Sequence, residues 1–268
     1  MKFLRVLLLF CLLGFCLIGF VFSQESNWQN FKGKHFIVLY QSSADKSEAK
    51  KILRSAEKYY GSIGRKIGYT RYSNFWTWDD RVKIILFPTK ELFLDQTGQP
   101  EWSRGGALDI GFSGQKVIVS YAGQSQFLRE VLPHEISHLV LSDFIGLDHK
   151  IPIWFSEGVA QLGEEGKAKK AELVMRMMIR LDRYYPLRSL ARIDIRKEKN
   201  EEYVELFYAE SVSVVDFLIK KFGSDAFGRL CRKMSDGLSF EAAMKFVYQG
   251  MLSSYSELEK KWIQYLNH

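Results

Sequence analysis

A chain of 268 residues with 47% hydrophobic and 15% aromatic content can bury a sizeable core, which excludes a disordered or repeat protein and suits one domain or two closely joined lobes. The formal charge is +7, yet the basic runs Lys167, Lys169, Lys170 and Arg196 to Lys199 carry no interleaved aromatics. They read as solvated faces, which excludes nucleic acid as a partner; attraction to an anionic surface such as membrane or cell-wall polymer is the second reading of that charge.

Lys2 and Arg5 precede an unbroken apolar run from Val6 to Phe22, with no acidic residue before Glu25. This pattern predicts an export signal over residues 1–23, cleaved after Ser23. The run is long for a signal and about the minimum for a spanning helix, so an anchor through residues 6–22, its basic end in the cytoplasm, is the alternative. Either way the rest of the chain, 24–268, is expected in the periplasm or outside the cell. Cys16 follows Phe15 rather than a small residue, which argues against lipid attachment. With Cys11 and Cys16 in the signal, Cys231 is the one cysteine of the mature chain; it forms no internal disulfide, and no Cys-rich metal site is available.

His35 to Tyr40 is a short apolar β run, and Ser47 to Ile67 shows helical spacing of Ile52, Ala56, Tyr59, Tyr60 and Ile63. Arg81 to Phe87 predicts a second strand, ended by Pro88. Thr89 then caps a short helix through Phe93, closed by Gly98 and Pro100. A loop rich in glycine (Gly105, Gly106, Gly111, Gly114) leads to an alternating third strand, Lys116 to Tyr121. Residues 130 to 143 follow as a helix, with Pro133 requiring a start or a kink close by. After Gly146 and Pro152 comes another helix. Residues 167 to 183 carry Leu173, Met177, Ile179 and Leu181, a Met-rich stretch that reads as core packing or cleft lining. Tyr185-Pro186 breaks the pattern; Glu202 to Phe222 is a long amphipathic helix ended by Gly223. Three short helical segments, punctuated by Gly237 and Gly250, complete the chain, the last with a stripe of Leu258, Trp262, Ile263 and Leu266. The expected fold is α+β, a sheet lobe over about 33–122 and a helical lobe over about 124–268.

The chemistry concentrates in Leu132-Pro-His-Glu-Ile-Ser-His138. On a helix, His134 and His138 lie one turn apart on one face, where both imidazoles reach one metal ion. Glu135 is angularly offset from that face, so its carboxylate is placed to act as general base on a water at the metal. A catalytic zinc needs a third protein ligand and an open position. Glu157, in Trp154-Phe-Ser-Glu-Gly-Val-Ala160, supplies it and completes a His2Glu site. Gln161, one turn after Glu157, is a candidate supporting partner for a ligand. His35, His149 and His268 read as ordinary structural or surface histidines.

These two pieces resemble the gluzincins, zinc metallopeptidases whose third ligand is a glutamate on a helix after the motif helix. Pro152-Ile-Trp-Phe-Ser-Glu-Gly158 is most similar to the smaller bacterial proteins grouped as peptidase MA-like. The resemblance implies a thermolysin-like catalytic domain with a small mixed sheet, one Zn2+ per chain, and a peptide or protein substrate. It also implies that the strand before the motif helix, here Val117, Ile118, Val119 and Ser120, is an exposed edge that pairs with the substrate main chain. Tyr208-Ala-Glu-Ser211 resembles a Tyr-x-x-Ser segment of that group, and related aminopeptidases use a tyrosine of the helical part on the oxyanion; Tyr208 is the residue that matches here. The aminopeptidase signature Gly-x-Met-Glu-Asn has no counterpart: Gly105-Gly-Ala-Leu-Asp109 lacks its glutamate, and Asp109 reads as a turn residue. The expected function is an exported zinc metallopeptidase; a non-catalytic zinc module that holds a peptide or protein partner is the other reading.

Overall fold

The structure is a computed structural model that describes residues 28–41, 45–69, 81–110, 115–146 and 151–267. Residues 1–23, expected to be an export signal, and His149 and His268 lie outside the described residues. Two compact units are present, and the chain leaves the first for the second twice, after Tyr59 and after Glu135.

The first unit is built on a five-stranded mixed sheet in the order β1-β2-β3-β5-β4. Strand β2 (Phe36–Tyr40) alternates, burying Phe36, Val38 and Tyr40. Strand β1 (Gln29–Lys32) pairs antiparallel with it; its Gln-Asn-Phe-Lys sequence is too polar to signal a strand without a partner. Helix α1 (Lys46–Lys66) follows, then β3 (Val82–Phe87), which runs parallel to both β2 and β5. An interior parallel strand is covered on both faces, so β3 reads as continuous hydrophobics. Thr89 caps α2 (Lys90–Thr97), its hydroxyl oxygen accepting from the Leu92 N–H at 3.2 Å, and Gly98 ends the helix in the left-handed conformation. The helix runs a turn beyond Phe93, which it buries against Ile85, Phe87, Val117 and Val119.

The glycine-rich stretch is not all loop. Gly106–Ile110 forms β4, which pairs antiparallel with β5 (Gln115–Tyr121), Gly106 opposite Val119 and Asp109 opposite Lys116. Asp109 therefore sits in a strand rather than a turn. The expectation of an exposed edge at Val117 to Ser120 is overturned by the same pairing, since β5 lies between β3 and β4 with its main chain engaged on both sides. Val117, Ile118, Val119 and Ser120 are buried, and the Ser120 hydroxyl donates to the Arg104 carbonyl at 2.9 Å. The poor β propensity of glycine hid β4; its register with a strong neighbour outweighs it.

Pro133 is accommodated by a π-helical turn, Phe127–Val131, that runs directly into α3 (Leu132–Ile145). In that register the Leu132 N–H reaches back to the Phe127 carbonyl. The next acceptor, Leu128, would meet the N–H that proline lacks; the Tyr59 hydroxyl donates to it instead at 2.9 Å.

The second unit is helical: α4 (Ile153–Gly163), α5 (Lys167–Arg180), α6 (Leu187–Leu190), α7 (Glu201–Phe222), α8 (Ser224–Ser235), α9 (Phe240–Val247) and α10 (Tyr255–Leu266). Asn200 caps α7, and its side chain accepts from the N–H groups of Glu202 and Tyr203. Helices α4 and α5 both pack on α7. Phe155 stacks on Phe227 and meets Trp154 and Phe240, and Trp262 of α10 donates its indole N–H to the Ser213 hydroxyl of α7 at 3.0 Å. At the C-terminal end of α4 the Lys66 ammonium donates to the Leu162 carbonyl at 3.0 Å; burial holds this ammonium below the usual lysine range. Leu173, Met177 and Leu181 depart from the core reading: they are exposed, and α5 buries Ala171 and Met175 instead. Among the described residues no helix is long and apolar enough to cross a membrane.

Candidate metal centre

Helix α3 begins one residue before Pro133, so its first full turn carries His134 and its second His138. That start matters, because a proline tolerated at the first turn leaves the ligand-bearing turns regular. His134 and Glu135 are buried and His138 is half-buried. The second ligand helix, α4, follows Pro152 and buries Glu157 in its second turn.

One ligand atom from each of His134, His138 and Glu157 lies within 4.8 Å of the other two. Ligands at zinc bond lengths in a tetrahedron stand about 3.4 Å apart, so small side-chain rotations close the set on one ion. The His138 Nε2 to Glu157 Oε1 distance, 3.7 Å, is already near that spacing. Two imidazoles and a carboxylate also form a donor set that suits zinc among divalent ions. The ligand set leaves out Glu135, as its angular offset on the helix predicts.

Two residues that motif reading passes over prepare this arrangement. His138 Nδ1 stands 3.1 Å from the Ser156 hydroxyl. A bond there from Nδ1–H leaves the Nε2 lone pair facing Glu157, the tautomer a metal requires. Ser156, not Gln161, is thus the partner of a ligand; a hydroxyl beside the glutamate in an otherwise apolar run was the available signal. Gly158 sets the depth of α4. A methyl group in place of its hydrogen would stand 2.5 Å from the Ser211 carbonyl oxygen and 2.7 Å from Val215 Cγ2 of α7, so only glycine lets the two helices approach this closely. The carboxylate of Glu157 is positioned by that crossing.

Tyr208 is half-buried on α7, its ring against Phe207 and three residues before Ser211. Glu210, on the same helix, is buried outright. Its Oε2 accepts from the Tyr185 N–H at 2.9 Å while Oε1 has no hydrogen-bond partner. Burial pushes its carboxyl up to about 8, the Tyr185 N–H opposes the shift, and Glu259 adds to it.

A family model described as the Peptidase MA superfamily matches residues 91–268, which takes in both ligand helices and every helix after them. No curated protein matches the chain. The matched span covers well over half of the sequence, and the His134, His138, Glu157 cluster falls inside it where an HExxH and a following glutamate would put a metal; the chain belongs to the Peptidase MA superfamily.

Proposed function

We propose that this protein is an exported, zinc-dependent peptidase of the gluzincin kind, hydrolysing peptide bonds. The observation that carries the reading is the convergence of two imidazoles and a carboxylate from successive helices, with Glu135 next in sequence to one of those imidazoles, in a member of a peptidase superfamily. Export is supported by Lys2, Arg5 and the Val6 to Phe22 run.

His134, His138 and Glu157 would hold the ion. When bound, it supplies Lewis acidity, which lets water ionise near neutral pH and polarises a carbonyl. Glu135 takes the proton of the attacking water and passes it to the leaving amine nitrogen. Ser156 keeps the His138 ring in its tautomer. The Tyr208 hydroxyl donates to the oxyanion as it develops. An extended peptide pairs with β4, the strand that occupies the sheet edge in place of β5.

The test is metal content of the purified chain together with cleavage of a mixed peptide library. One zinc per chain is expected, lost in Glu157→Ala and bound about ten-fold more weakly in Ser156→Ala. Glu135→Gln should keep the metal while turnover falls by about 1,000-fold. Zinc without cleavage would move the reading to a module that holds a peptide or protein partner, and a chain that binds no zinc would overturn it.

A further inference from the structure

Helix α5 carries its large apolar side chains on the wrong side for a core helix. Leu173 is 64% exposed, Met177 52% and Leu181, which caps the helix, 57%. Four-residue spacing sets them one above another in a single outward row. The inward face needs none of them: Ala171 and Met175 fill it, and the helix packs on α4, α7 and α10.

The exposed charges on the helix itself have one sign. Lys169, Lys170 and Arg180 are exposed; by helical angle Lys170 falls within the row, and Lys169 and Arg180 along one margin. The helix has one acidic residue, Glu172. It is occupied by Arg176 at 3.1 Å and by Lys220 of α7 at 3.2 Å, so it does not offset the outward cations. Burial alone would raise the Glu172 carboxyl, but these cations outweigh it and hold it below the usual carboxylate range.

We propose that α5 is a peripheral docking element that lays Leu173, Met177 and Leu181 on an anionic lipid surface. Apolar side chains of this size enter the boundary between headgroups and acyl chains, and long cationic side chains at their margin reach the lipid phosphates. A second copy of the chain fits poorly, because two such faces would oppose like charges across the contact. The inference stands apart from the peptidase reading, since no metal ligand takes part in it.

The test places an environment-sensitive dye on Met177→Cys in the full chain, with Cys11→Ser and Cys16→Ser; the remaining Cys231 is fully buried. Vesicles of phosphatidylcholine alone are compared with vesicles containing phosphatidylglycerol. The readout is the environment of the dye rather than capture of the protein, because the Val6 to Phe22 run could bring the chain to either vesicle. The expected result is a blue shift and protection from iodide with phosphatidylglycerol only, reversed by salt. Changing Lys169→Gln, Lys170→Gln and Arg180→Gln together should weaken this docking about a hundred-fold, roughly five-fold per cation. Unchanged thermal melting verifies that these surface variants fold. The same emission in buffer and in both vesicles would overturn the proposal. So would an equal shift on phosphatidylcholine alone. A shift in buffer that grows with protein concentration would assign the face to a second copy, and one produced only by an acidic amphipathic peptide would assign it to a protein partner.

Discussion

Helices α4 and α5 follow one another in the chain and pack on the same helix, α7, yet they use their apolar residues in opposite ways. Trp154, Phe155, Val159, Ala160 and Leu162 of α4 are buried, together with the polar Glu157 and Gln161. Helix α5 buries Ala171 and Met175, meets α7 through the Glu172–Lys220 ion pair, and turns Leu173 and Met177 outward. The difference lies in the contact residue. Gly158 removes the side chain that would hold α4 away from α7, so the large apolar groups around it on α4 are drawn into the interior. Hydrophobic content alone does not distinguish the two helices; how closely each backbone approaches its partner does.

The sharpest way to break this contrast is Phe155→Ala, which empties a ring-lined site between Trp154, Phe227 and Phe240. A loss of about 4 kcal/mol in denaturant unfolding is expected. Gly158→Ala should cost about 3 kcal/mol, because the added methyl meets backbone at Ser211, and should weaken metal binding by displacing Glu157. If its stability and metal affinity were both those of the parent, the close crossing would not be what positions the ligand.

The shared helix α7 carries the third expectation. Glu210 has a folded value of about 8 against 4.5 for the free group, chiefly from burial. The folded state therefore keeps a proton that the unfolded state releases, and stability falls as pH rises through that window, with the full cost present above it. Tyr184, Tyr185 and Glu259 are the titratable groups near it. Glu210→Gln should flatten the decline and leave the protein more stable than its parent by about 2 kcal/mol near pH 9, with little difference near pH 5. Melting temperatures across that range would check it. The smallest effect belongs to the outer face of α5: Leu173→Ala should change stability by no more than about 0.5 kcal/mol. A loss as large as that of Phe155→Ala would show that Leu173 is covered in solution and would remove the contrast.

Much of the candidate site was legible because its residues are local. His134 and His138 are tied by one helical turn, and Glu157 follows on the next helix, so spacing in the chain is nearly spacing in space. The α+β division, the Thr89 cap, the Gly98 stop and the helices after residue 223 were legible for the same reason, being decided within a few residues of themselves. What tertiary structure decided was neighbourhood. Whether Val117 to Ser120 form an edge depends on what pairs beyond them, and β4, written in a glycine-rich segment, takes that side. Whether Leu173 and Met177 are core depends on which face of α5 turns inward, and that face carries the buried Ala171 and Met175 and the Glu172 that pairs with Lys220 of α7. The partner of His138 and the carbonyl left by Pro133 are likewise settled by Ser156 and Tyr59, a hydroxyl on another element in each case. The sequence by itself determined the candidate ligand cluster and the local elements, through interactions closed within one or two turns; burial, strand order and the groups that orient the cluster were decided only when distant segments packed together.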